Sequence, residues 1–308
     1  MPGSHSLTLG HSPDPDDAFM FFALAEGKIE THGWRFEHIL QDIQTLNERA
    51  TRGELHISAI SIHAYAYVLD KYALLPCGAS MGDGYGPMLV ASNRDGLSGN
   101  PRLGEVRDWL RGKRIAIPGT MTSAYLALRL AMRDEAHPSG ECETIVVPFD
   151  EIFDAVKSGR ADVGLIIHEG QLTYSHENLE LILDLGVWWK IKTGLPLPLG
   201  GNVIRKDLAP ADRTAINAVL RESIRYGLEH RAAGVAHAMP LARGLDTQLA
   251  DKFIGMYVND YTLDYGDTGR RAIREFLGQA HAAGLIPAPV ELEFVEEARF
   301  AWIGGKFH

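Results

Sequence analysis

The sequence predicts an α/β chain folded as two lobes around a cleft. Three observations lead there. Short apolar runs alternate with helix-like stretches of about ten residues. The same plan starts again in the middle of the chain, and two breaks rich in Gly, Pro or polar residues mark crossings between the halves. With 308 residues, 45% of them hydrophobic, the chain can fill two cores, and two lobes are the better expectation.

In order, Leu7–Leu9 reads as a strand and Asp16–Ala25 as a helix ending at Gly27. Arg35–Leu40 is strand-like, Ile43–Thr51 helical up to Gly53, and Leu55–Ser61 a strand running into a helix over Ile62–Leu69. This is a βαβαβ unit. The second begins with strand Arg114–Ile117, a loop at Pro118–Thr120 and helix Ser123–Met132. Strand Thr144–Pro148, helix Glu151–Lys157 and strand Asp162–Ile167 complete it. RGELHISAISI aligns with SGRADVGLIIH, Gly53 falling on Gly159. Such alternation predicts parallel sheets covered on both faces, with ligands bound beyond the carboxyl ends of the strands. The loops at Ser12–Asp17, Ser61, Thr120–Ser123 and His168 are therefore expected to face one cleft.

The first crossing is expected near Ala91–Gly99 (ASNRDGLSG). The return is expected in VWWKIKTGLPLPLGGN, residues 187–202, where Pro196, Pro198, Gly200 and Gly201 favour extended chain. Beyond Ala209 the pattern is helical, over Pro210–Tyr226, Arg231–Met239, Thr247–Val258 and Thr268–Ala283, and these helices should cover the first lobe. The expected lobes are thus 1–92 with 203–308, and 93–202.

A formal charge of −10 without any Lys/Arg run argues against a nucleic acid or an anionic membrane as partner and favours a small molecule. Cys77 and Cys142 lack metal or CxxC spacing and read as buried or half-buried thiols. No apolar run reaches the ~18–20 residues of a bilayer span, and MPGSHSLTL has neither a basic nor an apolar leader region, so a cytoplasmic protein is expected.

LGHSPDPDDAF, residues 9–19, offers three carboxylates for a metal, for acid/base work, or for a helix start. The last fits closely: Asp14 at the N-cap, Pro15 at the first helical position, and Asp16 and Asp17 beside the positive end of the dipole. A metal needs oxygens from several segments, and no other acidic cluster has ligand spacing, so no metal site is expected. In LIIHEGQLTY, His168 ends an apolar strand and is the best candidate for a general base; its other reading is a bond to a strand-end carbonyl. Glu169 orients it or faces water. In PGTMTSAYLAL, Thr122, Ser123 and Ala124 open a helix whose free N–H groups and hydroxyls suit a carboxylate or sugar hydroxyls, or form an ordinary cap. Ser61 has the same two readings. CGASMGDGYGP is neither a P-loop nor a dinucleotide fingerprint; its glycines, Gly86 included, allow close backbone approach to a ligand or a tight turn. Trp188 and Trp189 could stack on a ring but more commonly fill a core. The remaining histidines, such as His32, His176, His230 and His281, read as surface residues.

With these stretches in view, a resemblance emerges. SPDPDDAF at 12–19, QDIQTLN, the Ser61 turn followed by AYAYV, GYGP, the Thr122–Tyr125 helix start, GLIIHEGQLTY, LGVWWKIKTGLPLPLGG and YVNDYTLDYG together resemble the 1,4-dihydroxy-6-naphthoate synthase family of the futalosine route to menaquinone. The resemblance extends to about residue 267. It implies the type II periplasmic-binding-protein fold. It also implies a lyase that cleaves cyclic dehypoxanthinyl futalosine to 1,4-dihydroxy-6-naphthoate without metal or organic cofactor. His168 takes the place of the family's base and the Thr122–Ser123 turn that of its ligand cradle. Ser61, Ala124, Asp14, Asp17 and Gly86 are the further candidates for binding a substrate that carries a carboxylate. The family commonly has Cys, Asn and Thr where this chain has Asp14, Asp16 and Ala18. The rival expectations are a non-catalytic solute-binding protein of the same fold and a related lyase acting on chorismate.

Overall fold

The first βαβαβ unit forms where its periodicity places it. Strands β1 (Ser6–His11), β2 (Arg35–Leu40) and β3 (Ile57–Ser61) pair in parallel in the order β2-β1-β3, joined by helices Pro15–Ala25 and Ile43–Thr51. Three short strands follow: β4 (Tyr72–Leu74), β5 (Ser80–Gly82) and β6 (Met88–Ala91). The second unit comprises β7 (Arg114–Ile117), β8 (Glu143–Val146) and β9 (Val163–Ile166), again parallel, with helices Ser123–Ala131 and Ile152–Lys157 between them. β10 (Glu180–Asp184) and β11 (Leu197–Arg205) complete the strands. This computed structural model describes residues 6–97, 99 and 101–295. The expectation about a leader falls partly on residues 1–5, and the first expected crossing partly on 98; these lie outside the described residues, as do 100 and the end of the larger lobe, 296–308.

One sheet runs β2-β1-β3-β11-β4, with β5 also paired to β11; the other runs β8-β7-β9-β6-β10. Matching β7, β8 and β9 to β1, β2 and β3 makes the two orders identical. Gly53 and Gly159, aligned in the sequence, both turn the chain out of a helix and toward the third strand with left-handed backbone, at φ 68° and 74°. The internal repeat is therefore structural.

Neither sheet is wholly parallel, which corrects the expectation. β11 is antiparallel to β3, β4 and β5, and β6 is antiparallel to β9 and β10. Each of these strands enters from the other lobe through a short connection, residues 83–87 before β6 and 194–196 before β11, and runs back along the third strand of the unit it joins. The crossings thus both lie earlier in the chain than the expected limits at 92/93 and 202/203. Residues 185–193 are helical rather than extended, because the glycines and prolines of that stretch begin only at Gly194. The Asp184 carboxylate accepts the Gly186 and Val187 N–H groups at the start of helix Leu185–Thr193, and Gly194 ends it at φ 72°. Trp189 is fully buried and donates to the Pro196 carbonyl, which is the core role. The helix expected over Ile62–Leu69 is one turn, Ile62–Tyr65, continued by tighter turns that bond each N–H three residues back.

Helices Pro210–Glu229, Arg231–Ala238 and Thr247–Tyr257 pack on helix Pro15–Ala25. That helix is apolar on most of its circumference, with Phe19, Met20, Phe21 and Phe22 all buried. Phe19 lies against Gly234, where a Cβ would come within 2.7 Å of its ring. Burying the helix on all sides sinks its acidic first turn into the protein. Residues 293–295 run along β4, Leu74 and Val295 exchanging backbone bonds with Glu293 and Leu74. Cys77 is buried and Cys142 half-buried, and neither is in a disulfide among the described residues. No helix among the described residues is long and apolar enough to cross a membrane.

Candidate functional site

The ends of β1, β3, β7 and β9 converge, as the α/β pattern predicts, on a cavity between the lobes of about 770 Å³ counting its open mouth. Asp14, Asp17, Ser61, Thr122, Ser123, Ala124 and His168 all line it. Gly86 does not. Its α-carbon lies against the backbone of Gly186, where a Cβ would approach the nitrogen to 2.9 Å. The glycine run does serve close backbone approach, but between two segments of the protein.

On the first-lobe wall the carboxylates are more than a helix start. Asp14 occupies the N-cap position, yet its side chain makes no capping bond; Oδ1 instead accepts from Arg243 Nη1 at 2.6 Å. Asp17 Oδ2 accepts the Ser12 N–H at 2.6 Å. Burial raises the pKa of Asp14, although Arg243 opposes it. Asp16 is raised well above the usual carboxylate range by burial and by Asp17 and Asp14 beside it. Asp17 is pushed up to about 7, by burial and Asp14 against the Ser12 N–H. Three acids crowded in one half-buried turn cannot all be ionised comfortably at neutral pH.

The floor is formed by β3, β5 and β11. Ser61 is gripped by Asn47, which accepts the Ser61 N–H at 2.8 Å and donates to its Oγ at 3.0 Å. Gly200 and Asn202 sit opposite Ser61 and Ala59 in the β3–β11 register and share their face. On the second-lobe side, the Thr122 hydroxyl donates to the Gly119 carbonyl and accepts the Tyr125 N–H, which is the ordinary cap. Ser123 Oγ donates to the Leu199 carbonyl of the first lobe at 2.6 Å and accepts the His63 N–H. Both hydroxyls are therefore engaged within the protein. What the turn leaves to a ligand is the N–H groups of Ser123 and Ala124, the first two of the helix, which have no intrahelical acceptor.

His168 is buried just beyond β9. Nε2 lies 3.0 Å from the Phe149 carbonyl, and Nδ1 faces Glu169 Oε2 at 3.4 Å and the Gly170 N–H. His168 thus bonds a backbone carbonyl and also lines the cavity. Burial acts to lower its pKa, but Glu169, Asp14 and the Phe149 carbonyl outweigh that and raise it. Glu169 is likewise opposed by burial, yet His168 and Arg243 together hold it down at about 2. Arg243 donates to Glu169 Oε1 at 2.9 Å and to the Pro13 carbonyl, and its guanidinium lies over the Phe149 ring. A chain of charge thus runs from Asp14 through Arg243 and Glu169 to His168 and bridges the lobes. Tyr257 adds a second bridge, donating to Gln171 Oε1 at 2.7 Å.

Sequence reasoning missed Arg243, Tyr257 and Asn202. Arg243 lies in an irregular loop 229 positions from Asp14, so nothing local announces the pair. Asn202 carries a faint signal, a polar residue following two glycines on the floor strand.

The sequence matches the protein family described as "Menaquinone biosynthesis" over residues 7–282. The chain belongs to that family. Within the menaquinone biosynthesis family it is 38% identical over 283 residues to 1,4-dihydroxy-6-naphthoate synthase of Streptomyces coelicolor, covering 92% of this chain and 95% of that protein. A protein from Archaeoglobus fulgidus of known crystal structure is 43% identical, with a TM-score of 0.83 over 92% of this chain and 99% of the other. More distantly, a Candida albicans protein described as having the generic periplasmic binding protein fold is 14% identical, with a TM-score of 0.69 over 95% and 98% of the two chains. At that identity the likeness shows the fold alone. This member of the menaquinone biosynthesis family has the two-lobed periplasmic-binding-protein architecture.

Proposed function

We propose that the chain is the lyase that converts cyclic dehypoxanthinyl futalosine to 1,4-dihydroxy-6-naphthoate, with His168 as general base in the inter-lobe cleft. The observation that carries this reading is that His168 lines the cavity with the buried Glu169 carboxylate beside it, in a chain of this family. In neutral His168, Nε2–H donates to the Phe149 carbonyl, and Nδ1 carries the lone pair beside Glu169. Taking a substrate proton at Nδ1 then creates an ion pair, so Glu169 favours the proton transfer. The proton comes from a carbon next to a carbonyl. A carbon–carbon bond breaks in retro-aldol fashion, the sugar-derived fragment leaves, and formation of an aromatic ring drives the sequence forward.

The substrate carboxylate suits the N–H groups of Ser123 and Ala124 at a positive helix end, and the acidic wall disfavours the opposite orientation. Closed lobes exclude water and keep these groups preorganised. Incubation with cyclic dehypoxanthinyl futalosine should release the naphthoate, detected by its absorbance and mass. His168→Ala should abolish product while leaving substrate affinity within about tenfold, because a base acts mainly on the chemical step. Full turnover in that variant would sink the assignment. Tight binding by the wild type without turnover would instead favour a solute-binding protein for a small carboxylate.

A further inference from the structure

One polar side chain in the cavity has no role in anything described so far. Asn202, on β11, is 1% exposed. Neither its Oδ1 nor its Nδ2 has a hydrogen-bond partner among the described residues. Its backbone is fixed on both sides, by the register with Ala59 on β3 and by the Leu75 N–H, which donates to its carbonyl at 2.9 Å. The amide lies over Gly78, where a Cβ would fall 2.0 Å from Nδ2, so a residue without a side chain is what makes room for it. Gly78 and Asn202 both line the cavity, beside Ser61, Ser80 and Gly200. The surrounding floor is built from small residues, and the amide is the largest polar group rising from it.

Buried amides are almost always satisfied, and one with both atoms idle in a ligand cavity calls for a partner from outside the protein. An amide offers a donor and an acceptor side by side. A carboxylate can use only the donor, whereas a hydroxyl, or a hydroxyl next to a carbonyl, uses both. The carboxylate is also better placed elsewhere, at the N–H groups of Ser123 and Ala124 on the second lobe. Ser61 adds to the match: its Oγ accepts from Asn47, which leaves its own proton to give.

We infer that Asn202 is a specificity-determining residue that hydrogen-bonds the hydroxyl-bearing, sugar-derived part of the substrate on the first-lobe floor, while the carboxylate is held by the second lobe. This rests on the proposed lyase reading. The two contacts fix the substrate end to end across the cleft, so lobe closure selects molecules carrying both a carboxylate and, at the far end, a hydroxyl.

The test uses full-length wild type, Asn202→Ala and Asn202→Asp. Dissociation constants are measured by calorimetry for the cyclic substrate, with His168→Ala as the background to prevent turnover, and for 2-naphthoate, which keeps a carboxylate on a fused ring but has no hydroxyl. Asn202→Ala should weaken the substrate at least tenfold and leave 2-naphthoate affinity within twofold, and Asn202→Asp, which loses the donor, should also weaken the substrate. Thermal unfolding of Asn202→Ala should match or exceed wild type, because no bond within the protein is lost. Equal weakening of substrate and 2-naphthoate, or a lowered melting temperature with unchanged substrate affinity, would overturn the inference in favour of a structural role. If wild type fails to turn over the cyclic substrate, the lyase reading fails separately, and the inference is read from quinate against cyclohexanecarboxylate. Preference for the hydroxylated acid, lost in Asn202→Ala, upholds it; no preference, or no binding of either, overturns it.

Discussion

Replacing Arg243 by methionine keeps an apolar stem over Phe149 and removes the charge that joins the lobes. Arg243 Nη1 lies 2.6 Å from Asp14 and 2.9 Å from Glu169, and Nη2 lies 2.9 Å from the Pro13 carbonyl. Side-chain exposure decides the magnitude: Glu169 is 6% exposed, Asp14 21% and Arg243 28%. Removing one partner of a fully buried pair costs ~3–5 kcal/mol, while exposed pairs contribute below ~1 kcal/mol. A site between these limits should lose about 2–3 kcal/mol. For a chain of this length that corresponds to a fall in Tm of roughly 4–8 °C.

A second consequence concerns His168. Glu169, held at about 2, stays ionised at neutral pH after losing Arg243, and its charge then acts on the imidazole undivided. His168 must be neutral to accept a proton, and its pKa already lies above the ordinary histidine value. The acidic limb of the kcat/KM profile should therefore move to higher pH in Arg243→Met. Glu169→Gln removes the group that raises the His168 pKa, so in that variant the limb should move to lower pH. Differential scanning fluorimetry and pH–rate profiles of the two variants measure both effects. A Tm within 1 °C of wild type in Arg243→Met, or limbs that move in the same direction, would refute the account of this network.

The other predictions follow from the acidic turn. Asp17 has a folded-state pKa of about 7 against an ordinary 3.8, so the stability linked to its proton is complete below 3.8 and is lost as pH rises through about 7. Asp17→Asn should accordingly raise Tm by several degrees at pH 8 and give no gain near pH 3.5; a gain independent of pH would rule out ionisation as its cause. Turnover should persist in EDTA, because Asp14 is committed to Arg243 and Asp17 to the Ser12 N–H. Loss of activity restored by added Mg²⁺ would assign these carboxylates to a metal.

Much of this fold is legible in its sequence because the repeated βαβαβ units obey local rules. Hydrophobic periodicity sets their strands, and Gly53, Gly159 and Pro15 punctuate their helices. What the periodicity does not show is strand exchange. β4, β5 and β6 are three or four residues long, too short for a period to emerge, and β11 contains Pro198 and a glycine pair that read as loop. The cavity is legible to the same extent. His168, Ser61 and the Thr122–Ala124 turn lie at strand or helix ends, where the topology places ligand-facing residues, and the structure brings them together. Arg243 meets Asp14 and Glu169 only through tertiary folding, so the difference between an acidic helix start and a charged bridge could not be read from residues 12–19 alone.

The exchange of strands has a consequence for how the chain is made. All five strands of the second sheet lie within residues 88–184, so that sheet can be completed as soon as those residues leave the ribosome. The first sheet cannot: β3 has no neighbour on its far side until residues 197–205 emerge. On a nascent chain the amino-terminal lobe is therefore the later one to finish, and during that interval the open edge of β3 is the part of the molecule most exposed to pairing with another chain.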